Sequence, residues 1–111
     1  MSTNVQSKLA RKIPAAASVF AALGDATRLA IVGRLSDGSR RSIAELTEGA
    51  MLTRQAITKH LRVLENARLV SSQRAGRENR FVLNPKPIED IGSVIRLVSG
   101  HWDCSLSRLK S

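Results

Sequence analysis

The chain has 111 residues, 42% of them hydrophobic, with 18 Lys and Arg against 9 Asp and Glu. That is the length of one domain, and too apolar for wholesale disorder. A formal charge of +9 points to a polyanion, either nucleic acid or an anionic membrane surface, and the single cysteine, Cys104, excludes an internal disulfide.

Phe20, Phe81 and Trp102 are the only aromatics, so bulky core anchors are scarce. A small core without a covalent staple calls for a partner chain. No run of about 18 apolar residues offers a membrane span. Residues 1–12 are polar and basic, and are expected to form a flexible N-terminus. Lys8, Arg11 and Lys12 ahead of the apolar stretch Ile13–Leu23 have the order of a secretory leader. An Ala-rich packing helix opened by Pro14 is the better reading, because Ala makes a weak leader core. One unpaired thiol fits a cytoplasmic protein.

The first helix is expected over residues 14–23, with Val19, Phe20 and Leu23 as apolar members. Asp25 then caps a second helix, in which Leu29, Ile31, Val32 and Leu35 recur at helical spacing. Asp37-Gly38 is a turn. Ser42 with Glu45 three residues on marks a capping box and a short third helix ending near Gly49. Thr53 caps a fourth helix over 54–66. The period then changes. Residues 69–74 and 80–84 read as strands around Gly76-Arg77-Glu78-Asn79, a β-hairpin ended by Pro85 and Pro87. A last helix over 88–110 carries Ile88, Ile91, Ile95, Val98, Trp102, Leu106 and Leu109 at spacings of three or four.

A short helix, a tight connection and a second helix form a helix-turn-helix, here residues 43–66, followed by a wing hairpin over 69–84. The expected fold is mainly α with a small β-hairpin. It is one winged helix-turn-helix domain over 13–111, dimerising through its N- and C-terminal helices. On the fourth helix, Ile57, Leu61 and Leu64 share one stripe, while Gln55, Thr58, Lys59 and Arg62 share the opposite one. That opposite stripe contains no acid. From Thr53 to Arg80 seven basic residues stand against Glu65 and Glu78, a local balance of +5. A solvated helix face usually mixes signs, so this clustering points to double-stranded DNA. Gln55, Thr58 and Lys59 are candidates for base readout, and Thr53, Arg54 and Arg62 for phosphate contact. Arg74, Arg77 and Arg80 on the hairpin can reach the backbone or the minor groove.

These residues also carry a resemblance. The stretch Leu23-Gly24-Asp25-Ala26-Thr27-Arg28-Leu29-Ala30-Ile31 resembles the opening of ArsR/SmtB-type winged-helix repressors. So do residues 52–61 with Leu64-Glu65-Asn66-Ala67-Arg68-Leu69-Val70, and Gly76-Arg77-Glu78-Asn79-Arg80-Phe81 looks like that family's wing. The resemblance covers about residues 15–102. It implies a homodimer built on the first and last helices, binding an imperfect inverted repeat and repressing a nearby gene. Phe20, Ile91, Ile95, Val98 and Trp102 are the interface residues expected from their apolar stripes.

Three departures from that family stand out. Where many members carry a Cys-x-Cys metal site, this chain reads Glu45-Leu46-Thr47, and Asp90 is followed at the Asp-x-His spacing by Gly92. With His60 and His101 the only histidines, too few ligands remain, so no metal or other cofactor is expected. Thiol sensing in such proteins uses paired cysteines, and Cys104 is alone. Arg68 stands where the family often has Gly, at a helix end that favours a left-handed residue. The sequence names no effector. A catalytic role has no support, since no nucleophile–base grouping or phosphate loop is evident. The alternatives to a sequence-specific regulator are a non-specific nucleic-acid-binding winged-helix protein and a protein-interaction module. An RNA reader would want exposed aromatics to stack bases, which are lacking.

Overall fold

The computed structural model describes the backbone of residues 3–110 and the side chains of residues 6–100. Trp102 and Cys104 therefore lie outside the described side chains, and so does His101. The elements in order are α1 (Thr3–Leu23), α2 (Ala26–Leu35), β1 (Arg41–Ser42), α3 (Ile43–Thr47), α4 (Arg54–Asn66), β2 (Val70–Ala75), β3 (Glu78–Leu83) and α5 (Pro85–Lys110). The strands form one antiparallel sheet in the order β1-β3-β2.

Local chemistry explains most boundaries. The Asp25 carboxylate accepts from the Thr27 and Arg28 amides, at 2.9 and 3.0 Å, and opens α2. Ser42 Oγ accepts from the Glu45 amide while Glu45 Oε1 accepts from the Ser42 amide, so the expected capping box is present. Thr53 Oγ1 accepts from the Ala56 amide at 3.1 Å and starts α4. Gly76 takes φ 65° in the two-residue turn of the hairpin, where Ala75 pairs with Glu78.

Four expectations require correction. First, the chain is helical from Thr3, not frayed to residue 12, and Pro14 lies inside α1 instead of opening it. Leu9 packs against the core and Lys12 Nζ donates to Ser93 Oγ on α5 at 2.7 Å, so tertiary contacts extend the helix past the proline. Second, the hairpin is not alone: β1 adds a third strand through Arg41↔Phe81 and Ser42↔Arg80. Two residues are too few to show any period. Third, α5 begins at Pro85, because a proline costs little in a first turn and Asn84 Oδ1 accepts from the Lys86 amide. Fourth, Leu29 is 54% exposed and faces away from the core that Ile31, Val32 and Leu35 enter.

The core gathers residues from every long element. Leu35, Leu46, Ile57, Leu61, Leu64 and Leu69 are fully buried. Ala16, Val19 and Ala22 from α1, Phe81 from the sheet, and Ile91 and Val94 from α5 close around them. Ile91, expected at a dimer interface, is thus part of the chain's own core. Phe20, Ile95 and Val98 are instead 42%, 51% and 54% exposed, joined on α1 by Ile13.

Arg68, just past the Ala67 cap of α4, takes φ 62°, the left-handed conformation that glycine adopts most cheaply. Its amide donates to the Glu65 carbonyl and the Leu69 amide to the Leu64 carbonyl, both at 2.9 Å. Those two bonds define a Schellman motif, normally completed by glycine. A side chain there costs about 1 kcal/mol. Arg68→Gly should therefore raise the melting temperature, by about 4–8 °C for a domain of this size. A β-branched Arg68→Val should lower it. Thermal unfolding followed by circular dichroism checks both signs.

Candidate nucleic-acid interface

The stripe Ile57, Leu61 and Leu64 is buried, so the opposite face of α4 is turned to solvent. Arg54, Gln55, Lys59 and Arg62 are exposed there, and Thr58 is half-buried. These five side chains line one shallow surface cleft, with no acid among them. Two of the expected contacts are modified by local bonding. The Thr53 oxygen already serves as the helix cap. Thr58 Oγ1 donates its proton to the Arg54 carbonyl at 2.7 Å, leaving a methyl group and an acceptor lone pair facing outward.

What holds this helix at its angle was not visible in the sequence. Arg34, in the last turn of α2, donates from Nη1 to the Leu46 carbonyl at 2.9 Å and from Nη2 to the Glu45 carbonyl at 3.1 Å. These are carbonyls at the end of the five-residue α3, which has too few turns to satisfy them itself. Arg34 thus clamps the first helix of the motif to α2. The capping box at the other end of α3 shares Ser42 with strand β1, and so fixes α3 to the wing. Nothing distinguishes Arg34 from a surface arginine in one dimension. His60, on the flank of α4, places Nδ1 3.9 Å from Asp25 Oδ1 and sits between α4 and the start of α2.

The three wing arginines separate. Arg77 stands exposed at the tip. Arg74 is exposed and donates from Nε to the Gly76 carbonyl at 3.2 Å. Arg74 is opposite Asn79 and Arg80 opposite Gln73, so the pleat puts them on different faces of the hairpin. Phe81, two residues from Asn79, is buried, and Arg74 therefore shares the face that bears the core. Arg80 lies on the other face, half-buried, and both Nε and Nη2 donate to Glu78 Oε1 at 3.2 and 3.0 Å. Its charge is paired with Glu78 within the strand, at a part-exposed position.

Among the described residues, no group of three His, Cys, Asp or Glu could hold a metal ion. Nor is any single described helix long and apolar enough to cross a membrane.

Residues 23–73 match a helix-turn-helix domain family. The chain is 40% identical over 80 residues to the uncharacterized HTH-type transcriptional regulator YuzN of Bacillus subtilis, covering 67% of this chain and 87% of that protein. It is 42% identical over 64 residues to the HTH-type transcriptional regulator Rv2034 of Mycobacterium tuberculosis, covering 58% and 59%. The ArsR-like transcriptional regulator from Rhodococcus sp. RHA1 superposes with a TM-score of 0.75 at 34% identity, over 88% of this chain and 92% of that one. Fold and relatives agree on a DNA-binding transcriptional regulator of the winged helix-turn-helix class. Within that class the chain belongs to the ArsR family.

The caps make stability pH-dependent. Hydrogen bonding from the Arg28 amide, with the Arg28 and His60 charges nearby, holds the Asp25 carboxyl below its ordinary range. The Ser42 amide does the same for Glu45. A carboxyl with a lower pKa folded than unfolded stabilises at neutral pH, and that contribution fades as pH falls through its folded value. Asp25→Asn keeps the cap acceptor and removes the charge. It should flatten the fall in melting temperature between about pH 5 and pH 3, whereas Asp25→Ala should lower the melting temperature at neutral pH. Melting curves across pH 3–7 distinguish the two.

Proposed function

We propose that the chain is a cytoplasmic, homodimeric repressor that binds an inverted-repeat operator without responding to a metal, and that it is not an enzyme. The observation that carries this reading is the acid-free cleft on α4, where Arg54, Gln55, Thr58, Lys59 and Arg62 converge beside the wing. In a major groove, the Gln55 amide suits the N6 and N7 edge of adenine, and Lys59 suits O6 and N7 of guanine. The Thr58 methyl suits the C5-methyl of thymine. Arg54 lies at the start of α4, where free backbone N–H groups favour a phosphate. Thr53 caps that end, and its backbone shares the same phosphate-facing role. Arg62 supplies backbone charge from the far end of the cleft. Arg74, Arg77 and Arg80 extend the contact from the wing, Arg80 from its place beside Glu78.

The dimer is proposed to form on α1 and α5. Phe20, Ile95 and Val98 point outward from these two packed helices, with Ile13 beside them. Ile91 is left to the core, and Trp102 would extend the stripe along α5. A twofold axis through this surface would set two α4 helices about 34–36 Å apart, one turn of DNA.

Binding assays on operator and scrambled duplexes at fixed salt test the contacts. Gln55→Ala should lower the ratio of specific to non-specific affinity, by about tenfold, with little change on scrambled DNA. Arg77→Ala should weaken both duplexes alike and make the salt dependence shallower by about one unit of slope. Equal losses on both duplexes for Gln55→Ala would remove it from base readout. For the interface, Ile95→Asp should convert a dimer to a folded monomer in sedimentation experiments at micromolar concentration. An unchanged sedimentation coefficient would place the dimer elsewhere.

A further inference from the structure

The recognition face does not absorb all of the positive charge. A cleft of about 760 Å³ opens where α1, the end of α4 and the start of α5 meet. Arg11, Lys12, Arg68 and Lys86 line it, against a single acid, Asp90. Val19 and Ile91 give it an apolar floor continuous with the core. Its volume falls within the range of small-molecule sites, about 300–1,000 Å³.

The proposed DNA face runs along α4 from Arg54 to Arg62, and this cleft opens beyond its far end. Arg68 stands two residues past the last residue of α4, about 20 Å along the helix from Arg54 and about 9 Å from Arg62. The base of the hairpin, Val70 opposite Leu83, is likewise six residues from the tip, about 20 Å. These cations therefore gather past Arg62, the last proposed DNA contact on that helix, and none of them is among the proposed contacts.

Their partners leave much of the charge unbalanced. Lys86 Nζ lies 3.0 Å from Asp90 Oδ1, and that pair cancels. Lys12 Nζ donates to a neutral group, Ser93 Oγ. Among the described residues, neither the Arg11 nor the Arg68 guanidinium has a carboxylate within 4.0 Å. The lining carries a net charge of +3, and gathered like charges repel until an anion relieves them. Arg68 also occupies a left-handed position that Gly would take without strain. Strain retained at the rim of a cleft points to a use for the side chain.

We propose that this cleft binds a small anion carrying two or more negative charges, phosphoryl or carboxylate, gripped by Arg11 and Arg68 with Lys12 beside them. The guanidinium fork matches both oxyanion types, and two forks from different elements suit a ligand with two charged ends. Such a ligand ties α1 to the end of the recognition helix. Its binding is read on the protein alone, so this site stands or falls apart from the DNA contacts.

The full chain is titrated with pyrophosphate and, separately, with citrate, at ionic strength held constant with sodium chloride. Calorimetry gives affinity and amide NMR shifts give location. Saturable binding of pyrophosphate alone identifies a phosphoryl ligand, and of citrate alone a carboxylate ligand. Shifts should be confined to residues 11–19, 66–68 and 84–91. Arg68→Gly and Arg11→Gln should each weaken binding about tenfold, the loss of one charge-assisted contact. Arg68→Gly is also expected to be the more heat-stable protein, so its loss of binding cannot be ascribed to unfolding. Absence of saturable binding, shifts confined to residues 54–62 and 74–80, or full affinity in both variants would overturn the proposal.

Discussion

The burial of one narrow stripe on α4 governs the rest of the molecule. Ile57, Leu61 and Leu64 are each at most 1% exposed, and each contributes about 1.5–3 kcal/mol by leaving water. No other rotation of the helix buries all three. The opposite face is therefore fixed as well, and it carries Arg54, Gln55, Lys59 and Arg62. Recognition chemistry is presented because apolar chemistry is hidden. The first condition is a matter of residue types, and the second supplies the free energy that holds them in place.

Around that constraint the polar contacts act as joints. Arg34 satisfies the end of α3, Ser42 serves the sheet and the capping box together, and Asp25 starts α2 while standing near His60 of α4. Each joint lies between elements that are too short to be rigid alone. A five-residue helix has no stable existence in water, so α3 depends on its two ends being held. The geometry between α3 and α4, which sets how the motif meets a groove, follows from these few hydrogen bonds.

The distribution of charge has two centres. One is the α4 face with the tip of the wing, which suits a long polyanion lying across both. The other surrounds the cleft at the α1–α4–α5 junction, past the end of that helix. An open cleft rimmed by exposed cations from three segments of the chain suits a compact anion. The two centres share α4, whose outer face is the proposed DNA surface and whose end, through the left-handed Arg68, borders the cleft.

The helix-turn-helix, its caps and the recognition stripe were legible in the sequence because each depends on neighbours within four residues. Asp25, Ser42 with Glu45, and Thr53 needed only their own turns, whereas the left-handed conformation of Arg68 was one of two exits the sequence left open and was decided by the structure. Strand β1 was not legible, since two residues carry no period, and neither was the reach of α1 through Pro14, which rests on contacts with α5. The partition of apolar residues also belonged to the tertiary structure. Ile91 and Ile95 are one helical turn apart on the same apolar pattern, yet one is core and the other is surface. Arg74 and Arg80 read alike as wing cations until strand pairing set them on opposite faces. The +9 of the chain is a sum that sequence supplies directly; where its members stand depends on which elements pack together, and that is decided by contacts between residues far apart along the chain.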